Sequence, residues 1–288
     1  MYDTIIIGAG PAGISASLYT KRANLTTLVI YYETSNLEKA SRIDNYYGFP
    51  GGITGCDLFN SGIKQSEDLG VEIIKEQVVG VEFSDSMNFN VKTVSGLYEG
   101  KSVIIAVGDK KLRPNIKGVA EFEGKGVSYC AVCDGFFYRG KTVTVIGSGE
   151  YALSEAEYLS KLASKVIIAS DGKKIDNSDY PYEVKTEKIT EIYGDGKLEG
   201  MKFIDGTQIK TDGVFIAIGA AGGADFAKTL GIILDGDSIK TDENMATNVP
   251  GIFSCGNVNK GLAQVCKAVY EGAEAGLSAV KFVRNKSK

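Results

Sequence analysis

Two stretches of the chain repeat one order of parts: a β-branched run, a turn with glycines at i and i+2, a helix-compatible stretch rich in Ala, Ser and Leu, and a second β-branched run. The first stretch is Thr4 to Tyr32 and the second is Val143 to Ala169. Each reads as a βαβ unit of about thirty residues, the context a dinucleotide-binding glycine fingerprint requires. The expected class is therefore α/β, with two Rossmann-like, three-layer (ββα) nucleotide-binding-type domains.

The rest of the chain fits around these units. Val71 to Val94 alternates between apolar runs and turns and reads as a small antiparallel sheet. Ser102 to Gly108 and Gly213 to Gly219 read as buried strands ending in glycine. Asn248 to Phe253 leads into Ser254-Cys255-Gly256-Asn257, and an Ala/Gly-rich helix runs from about Gln264 to Arg284. Breaks near Arg113-Pro114 and from Asn244 to Pro250 suggest that the second domain is inserted into the first. The expected division is 1–113 with 245–288 against 114–244.

Bulk properties remove several classes. A chain of 288 residues, 43% hydrophobic and 24% charged, is neither collagen-like nor disordered. The net charge of −4 argues against a nucleic-acid partner. Met1 leads directly into Thr4-Ile5-Ile6-Ile7 without a signal-like segment, and no run of about twenty apolar residues follows, so the expectation is a cytoplasmic protein without a membrane partner. The chain has five Cys and no His. It therefore lacks the usual near-neutral base and the usual zinc ligand.

Gly8-Ala9-Gly10-Pro11-Ala12-Gly13 follows the first Ile-rich strand. Gly8 allows the tight turn, Gly10 lets a pyrophosphate approach the backbone, and Gly13 lets helix and strand pack closely. Tyr32 and Glu33, about twenty residues on, stand where a ribose hydroxyl is held. An ordinary tight βα turn is the alternative.

Between the two glycine loops lies Cys130-Ala131-Val132-Cys133-Asp134. A C-x-x-C pair in a reducing compartment reads as a redox couple, with a buried inert pair or half a zinc site as alternatives. Zinc would want a second ligand pair, and the sequence has no other C-x-x-C, so the expected metal is none. Cys56, Cys255 and Cys266 read as buried small hydrophobes.

With these residues in view, the chain resembles the low-molecular-weight thioredoxin reductases over essentially its whole length. The resemblance rests on Gly8 to Gly13, Tyr19 to Leu25, the block Cys130 to Phe137 and Gly147 to Ala152. It implies FAD in the first domain, a redox-active disulfide in the second, a homodimer, and thioredoxin as electron acceptor. It also implies a hinge that turns the inserted domain between flavin and thioredoxin. By the same resemblance Cys133 faces the flavin, Cys130 attacks thioredoxin, and Asp134 moves protons. A C-x-x-C at a helix N-terminus favours the reactive thiolate through unpaired N–H groups. Further implied flavin contacts are Asn45, Val78, the strand end Ala106 to Gly108, and Gly256-Asn257, where the family has Gly-Asp. The family's Arg-Gln-Ala is replaced by sequence around Gln264 and Val265.

The second loop, Gly147-Ser148-Gly149-Glu150-Tyr151-Ala152, keeps the spacing but departs from a nicotinamide site. Glu150 places a carboxylate at the helix N-terminus, where it opposes a pyrophosphate. Ser170-Asp171-Gly172 replaces the family's His-Arg-Arg run, and Asp171 would repel a 2′-phosphate while remaining able to hold the free ribose hydroxyls of NADH. Lys173 and Lys174 lack the planar fork of Arg. The stretch Asp176 to Thr190 is short and polar, where the family has a helix.

The expected reading is that Gly147 and Gly149 serve the turn alone. The pattern then resembles the ferredoxin-dependent flavin thioredoxin reductases of clostridia, with Asp109-Lys110-Lys111-Leu112-Arg113 as a basic dock or a plain solvated turn. An NADPH- or NADH-dependent thioredoxin reductase and a flavin-binding redox sensor are the competing functions.

Overall fold

The computed structural model describes residues 1–32, 36–108, 114–175, 181–219, 222–236 and 238–286, without the side chains of Asn36, Val132, Cys133 and Ala224. Glu33, the run Asp109 to Arg113, residues 176–180 and the Cys133 side chain therefore lie outside the described residues.

The chain opens with β1 (Tyr2–Ile7), α1 (Pro11–Arg22) and β2 (Thr27–Tyr31). Ile5, Ile6 and Ile7 are buried, as expected of a strand covered on both faces. After α2 (Gly55–Asp68) come β3 (Glu72–Lys75), β4 (Val78–Phe83), β5 (Phe89–Thr93) and β6 (Leu97–Ile105). The expectation of one antiparallel sheet across Val71 to Val94 holds for β4 and β5 only. β3 pairs parallel with β2, because the crossover through α2 returns the chain in the same direction.

The second unit then supplies α3 (Val119–Phe122), β7 (Val127–Ser128), α4 (Ala131–Asp134), β8 (Thr142–Ile146), α5 (Glu150–Ser160), β9 (Lys165–Ala169) and β10 (Glu183–Lys185). It continues through β11 (Ile189–Asp195), β12 (Lys197–Phe203), β13 (Gln208–Lys210) and β14 (Gly213–Ile216). The return to the first unit carries α6 (Gly223–Thr229), β15 (Leu234–Asp235), β16 (Ser238–Ile239), β17 (Ile252–Ser254) and α7 (Val265–Lys286).

In the first unit the parallel strands run β3-β2-β1-β6, with β17 also on β6. β6 serves three ladders: it pairs parallel with β1, Leu97 to Gly100 pairs antiparallel with β5, and Val103 to Ile105 pairs parallel with β17. α1 crosses α7 on small residues, since a Cβ on Gly272 would overlap the Ala12 carbonyl oxygen and one on Gly276 would come within 2.7 Å of the Ala16 oxygen. The second unit has a parallel sheet, β10-β9-β8-β14-β7, and the antiparallel sheet β11-β12-β13. Its core joins Ile146, Val214 and Ile216 of the first sheet to Ile189, Ile192 and Met201 of the second.

Two compact units result, Met1–Lys110 with Gly222–Lys288, and Lys111–Ala221. The sequence breaks assign 222–244 to the insert, whereas these residues pack with the first unit. Gly223 lies so close to Val258 that a Cβ would overlap its side chain, and Ile239 N–H donates to Val258 O at 2.9 Å. Among the described residues no helix is long and apolar enough to cross a membrane.

Candidate functional site

The first glycine loop lies at the carboxyl end of β1, where ligands of open parallel sheets bind. Gly8 has φ 110°, and a Cβ there would overlap the Ala106 carbonyl oxygen. A Cβ on Gly13 would overlap the Gly8 oxygen and come within 3.3 Å of the Ala106 side chain. Gly10 is the N-cap of α1 and provides no side-chain cap, Pro11 follows it, and the first turn has no acidic residue. The N–H groups at this helix end are thus left for an anion.

Gly256 joins this cluster from the C-terminal segment. Its φ is 85°, and a Cβ would stand 2.9 Å from that of Ala12. Next to it, Asn257 Oδ1 is buried with no hydrogen-bond partner among the described residues. A buried acceptor of this kind calls for a donor such as a hydroxyl. Asn45 Nδ2 donates to Gln264 Oε1 at 2.9 Å, so two expected contacts 219 positions apart are brought together. Val265 opens α7. Gly108, at φ 73°, faces open space. Among the described contacts, exposed Tyr32 at the end of β2 and buried Val78 at the start of β4 join neither group.

In the second unit Cys130 is disulfide-bonded and only 4% exposed. Cys130 N–H donates to Ser128 Oγ at 3.1 Å, and Ser128 Oγ donates to Asp134 Oδ2 at 2.6 Å. A single hydroxyl therefore ties the Asp134 carboxylate to the backbone of Cys130. Ala131 N–H donates to Glu155 Oε2 of α5 at 2.7 Å. This corrects the expected electrostatics. Two N–H groups at the start of this helix are already engaged, and one partner is a carboxylate, which opposes a thiolate nearby. Ser128 and Glu155 escaped the sequence reading, although Ser128 stands only two positions before Cys130.

Downstream, Phe136 and Phe137 are exposed, in an edge-on pair with centroids 6.4 Å apart. The Tyr138 ring packs edge-on to Phe215 at 5.3 Å and closes over Gly213. Burial, with Asp134 and Asp212 adding to it, pushes the Tyr138 phenol up. Of Cys56, Cys255 and Cys266, Cys255 is buried; Cys56 and Cys266 are exposed, contrary to expectation. Burial, reinforced by Glu271, pushes the Cys255 thiol well above its ordinary range, so it stays neutral and inert.

At the second loop, a Cβ on Gly147 would overlap the Ala217 oxygen and approach the Ala152 side chain to 2.7 Å, so packing alone demands this glycine. The same expectation fails for Gly149, where a Cβ would meet nothing within 4 Å. Glu150 stands in the first turn of α5. Asp171, in the left-handed region at φ 52°, accepts from Ile189 N–H at 2.8 Å through Oδ1. That oxygen holds the chain rather than facing a ribose. Where the family has a helix, residues 183–185 form a strand on β9.

Residues 2–186 and 182–272 match the pyridine nucleotide-disulphide oxidoreductase family. The thioredoxin reductase of Listeria monocytogenes is 38% identical over 306 residues, covering 98% of this chain and 94% of that protein. The chain belongs to the thioredoxin reductases of this family. Two solved structures are similar along their whole length. The atypical thioredoxin reductase TRi from Desulfovibrio vulgaris Hildenborough matches with a TM-score of 0.93 at 36% identity, covering 99% of each chain. A ferredoxin-flavin thioredoxin reductase from Clostridium acetobutylicum matches with a TM-score of 0.74 at 33% identity, covering 100% of this chain and 99% of the other.

Thioredoxin reductases of this family are FAD-binding flavoproteins, and FAD is the cofactor. The residues present fit it: the first loop leaves a helix end that would take the pyrophosphate, and Asn257 Oδ1, without a donor among the described residues, would accept from a ribityl hydroxyl.

Proposed function

We propose that the chain reduces thioredoxin through Cys130 and Cys133, with ferredoxin rather than a nicotinamide as the electron source. The couple itself is supported by Cys130 being disulfide-bonded. When bound, FAD would supply the electron pair that opens this disulfide.

The electron pair leaves both sulfurs as thiolates, and Asp134, held by Ser128, supplies a proton to one of them and takes it back. The Cys130 thiolate attacks one sulfur of the thioredoxin disulfide; that S–S bond breaks and the second thioredoxin sulfur leaves as a thiolate. Cys133 then attacks Cys130 Sγ, closing the internal disulfide and releasing the partner with both electrons, while protons return to its sulfurs. Buried Cys130 has to be uncovered before this exchange. Exposed Phe136 and Phe137 give a protein partner an apolar surface beside the couple. A homodimer in the cytoplasm follows from the family resemblance and completes the proposal.

The donor reading rests on the engagement of Asp171 with Ile189, together with the carboxylate of Glu150 at the α5 N-terminus. One observation favours the other donor: the open space before Gly149 leaves room for a ligand at the second loop. Mixing the anaerobic oxidised protein with NADPH, NADH or reduced ferredoxin separates the two. Flavin absorbance persists with both nicotinamides and bleaches with ferredoxin; rapid bleaching by either nicotinamide overturns the ferredoxin reading. Cys133→Ser retains FAD but lowers thioredoxin turnover by at least about a thousandfold, and full turnover by this variant overturns the dithiol assignment.

A further inference from the structure

A buried ion pair lies in the first two turns of α7. Lys267 Nζ stands 3.2 Å from Glu271 Oε1, with the two side chains only 14% and 10% exposed. Both partners grip the same glycine. Lys267 Nζ donates to the carbonyl oxygens of Gly256, at 2.9 Å, and Asn259, at 3.3 Å. Glu271 Oε2 accepts from Gly256 N–H at 2.8 Å. The N–H and C=O of Gly256 are thus held from one helix, at a residue whose φ of 85° sets the turn into Asn257. Asn259 closes the far side of the turn, accepting from Ser254 Oγ at 2.6 Å and donating to Ser254 O at 2.8 Å.

A buried pair of this kind is a poor device for stability, because desolvation of both charges offsets their attraction. Its geometry serves another purpose: every described bond from Lys267 and Glu271 to backbone ends on the turn that carries Asn257, whose Oδ1 is buried and unpartnered among the described residues. A binding turn that is already ordered spares the ligand the cost of ordering it. We propose that Lys267 and Glu271 are positioning residues that hold the Gly256–Asn257 turn in its FAD-binding conformation. The proposal rests on the reading that FAD lies against Gly256 and Asn257.

The test uses the full-length protein stripped of FAD, with FAD affinity followed by flavin fluorescence and stability of the flavin-free protein by thermal unfolding. Lys267→Met/Glu271→Gln removes both charges together and keeps an acceptor for Gly256 N–H, so the flavin-free protein is expected to unfold within a few degrees of wild type while its FAD dissociation constant rises at least about tenfold. Lys267→Met alone strands Glu271 and weakens FAD further. Lys267→Arg, which keeps charge and donors, recovers most of the affinity. An unchanged dissociation constant in the double variant overturns the proposal. So does a loss of affinity that only follows a matching loss of flavin-free stability. If wild type takes up no FAD, the underlying flavin reading fails instead.

Discussion

At the first glycine loop, Cβ atoms on Gly8 and Gly13 would overlap backbone oxygens, and the helix that follows starts without an acidic residue. At the second loop Gly147 is just as confined, Gly149 faces open space, and Glu150 stands in the first turn of α5. The comparison separates two requirements that one glycine spacing conceals. Packing fixes the glycine that ends the strand in both units. A helix end free of negative charge, suited to a pyrophosphate, exists only in the first.

The largest test of this contrast is Gly13→Ala, which forces a side chain onto the Gly8 carbonyl. We expect a loss of about 3 kcal/mol in the first unit and little flavin absorbance after purification. Gly147→Ala meets the Ala217 oxygen and costs about 2–3 kcal/mol in the second unit, but FAD content per folded chain is unchanged. Equal loss of FAD from both variants breaks the division of labour.

Asp171→Ala removes the acceptor for buried Ile189 N–H and costs about 1–2 kcal/mol by denaturant unfolding. Asp171→Asn retains an acceptor, tolerates the left-handed backbone, and stays within about 0.5 kcal/mol of wild type. A loss confined to NADH affinity, with stability untouched, would return Asp171 to a ribose-binding role. Smaller still is Gly149→Ala, which enters open space and changes stability by no more than about 0.5 kcal/mol.

The smallest effect is acid sensitivity. Glu191 of β11 is held down from about 4.5 to about 2, chiefly by the hydrogen bond from Lys117 and then by Lys202. A carboxyl lowered in the folded state contributes above its unfolded value and loses that contribution as pH falls through the folded one. The second unit therefore weakens between pH about 4.5 and about 2, and Glu191→Gln flattens this part of an acid titration. The first unit has a counterpart in Asp3, where burial raises the carboxyl but bonds from Lys101 and Thr26 outweigh it.

Both βαβ units were legible because their signal is local: Ile5 to Ile7 and Val143 to Ile146 are buried runs next to confined glycines. The C-x-x-C block and the first loop were legible for the same reason. Apart from Ser128, a neighbour of Cys130, what escaped depends on contacts between distant segments. Residues 222–244 belong with the first unit because Gly223 meets Val258 and Ile239 bonds to it, which no composition break records. Glu155 reaches Ala131 from another helix. Lys267 and Glu271 share an i, i+4 spacing visible in the sequence, yet only burial distinguishes them from an ordinary surface pair.

The enclosure of Cys130 has a consequence for how the protein would behave among other thiols. In a residue only 4% exposed, the Cys130 sulfur is screened from free low-molecular-weight thiols whatever its reduction potential, because exchange requires in-line approach of a nucleophile to the S–S bond. Insulation from that background is then kinetic. The partner that induces the uncovering motion obtains the electrons, and more abundant competitors are excluded by access rather than by driving force.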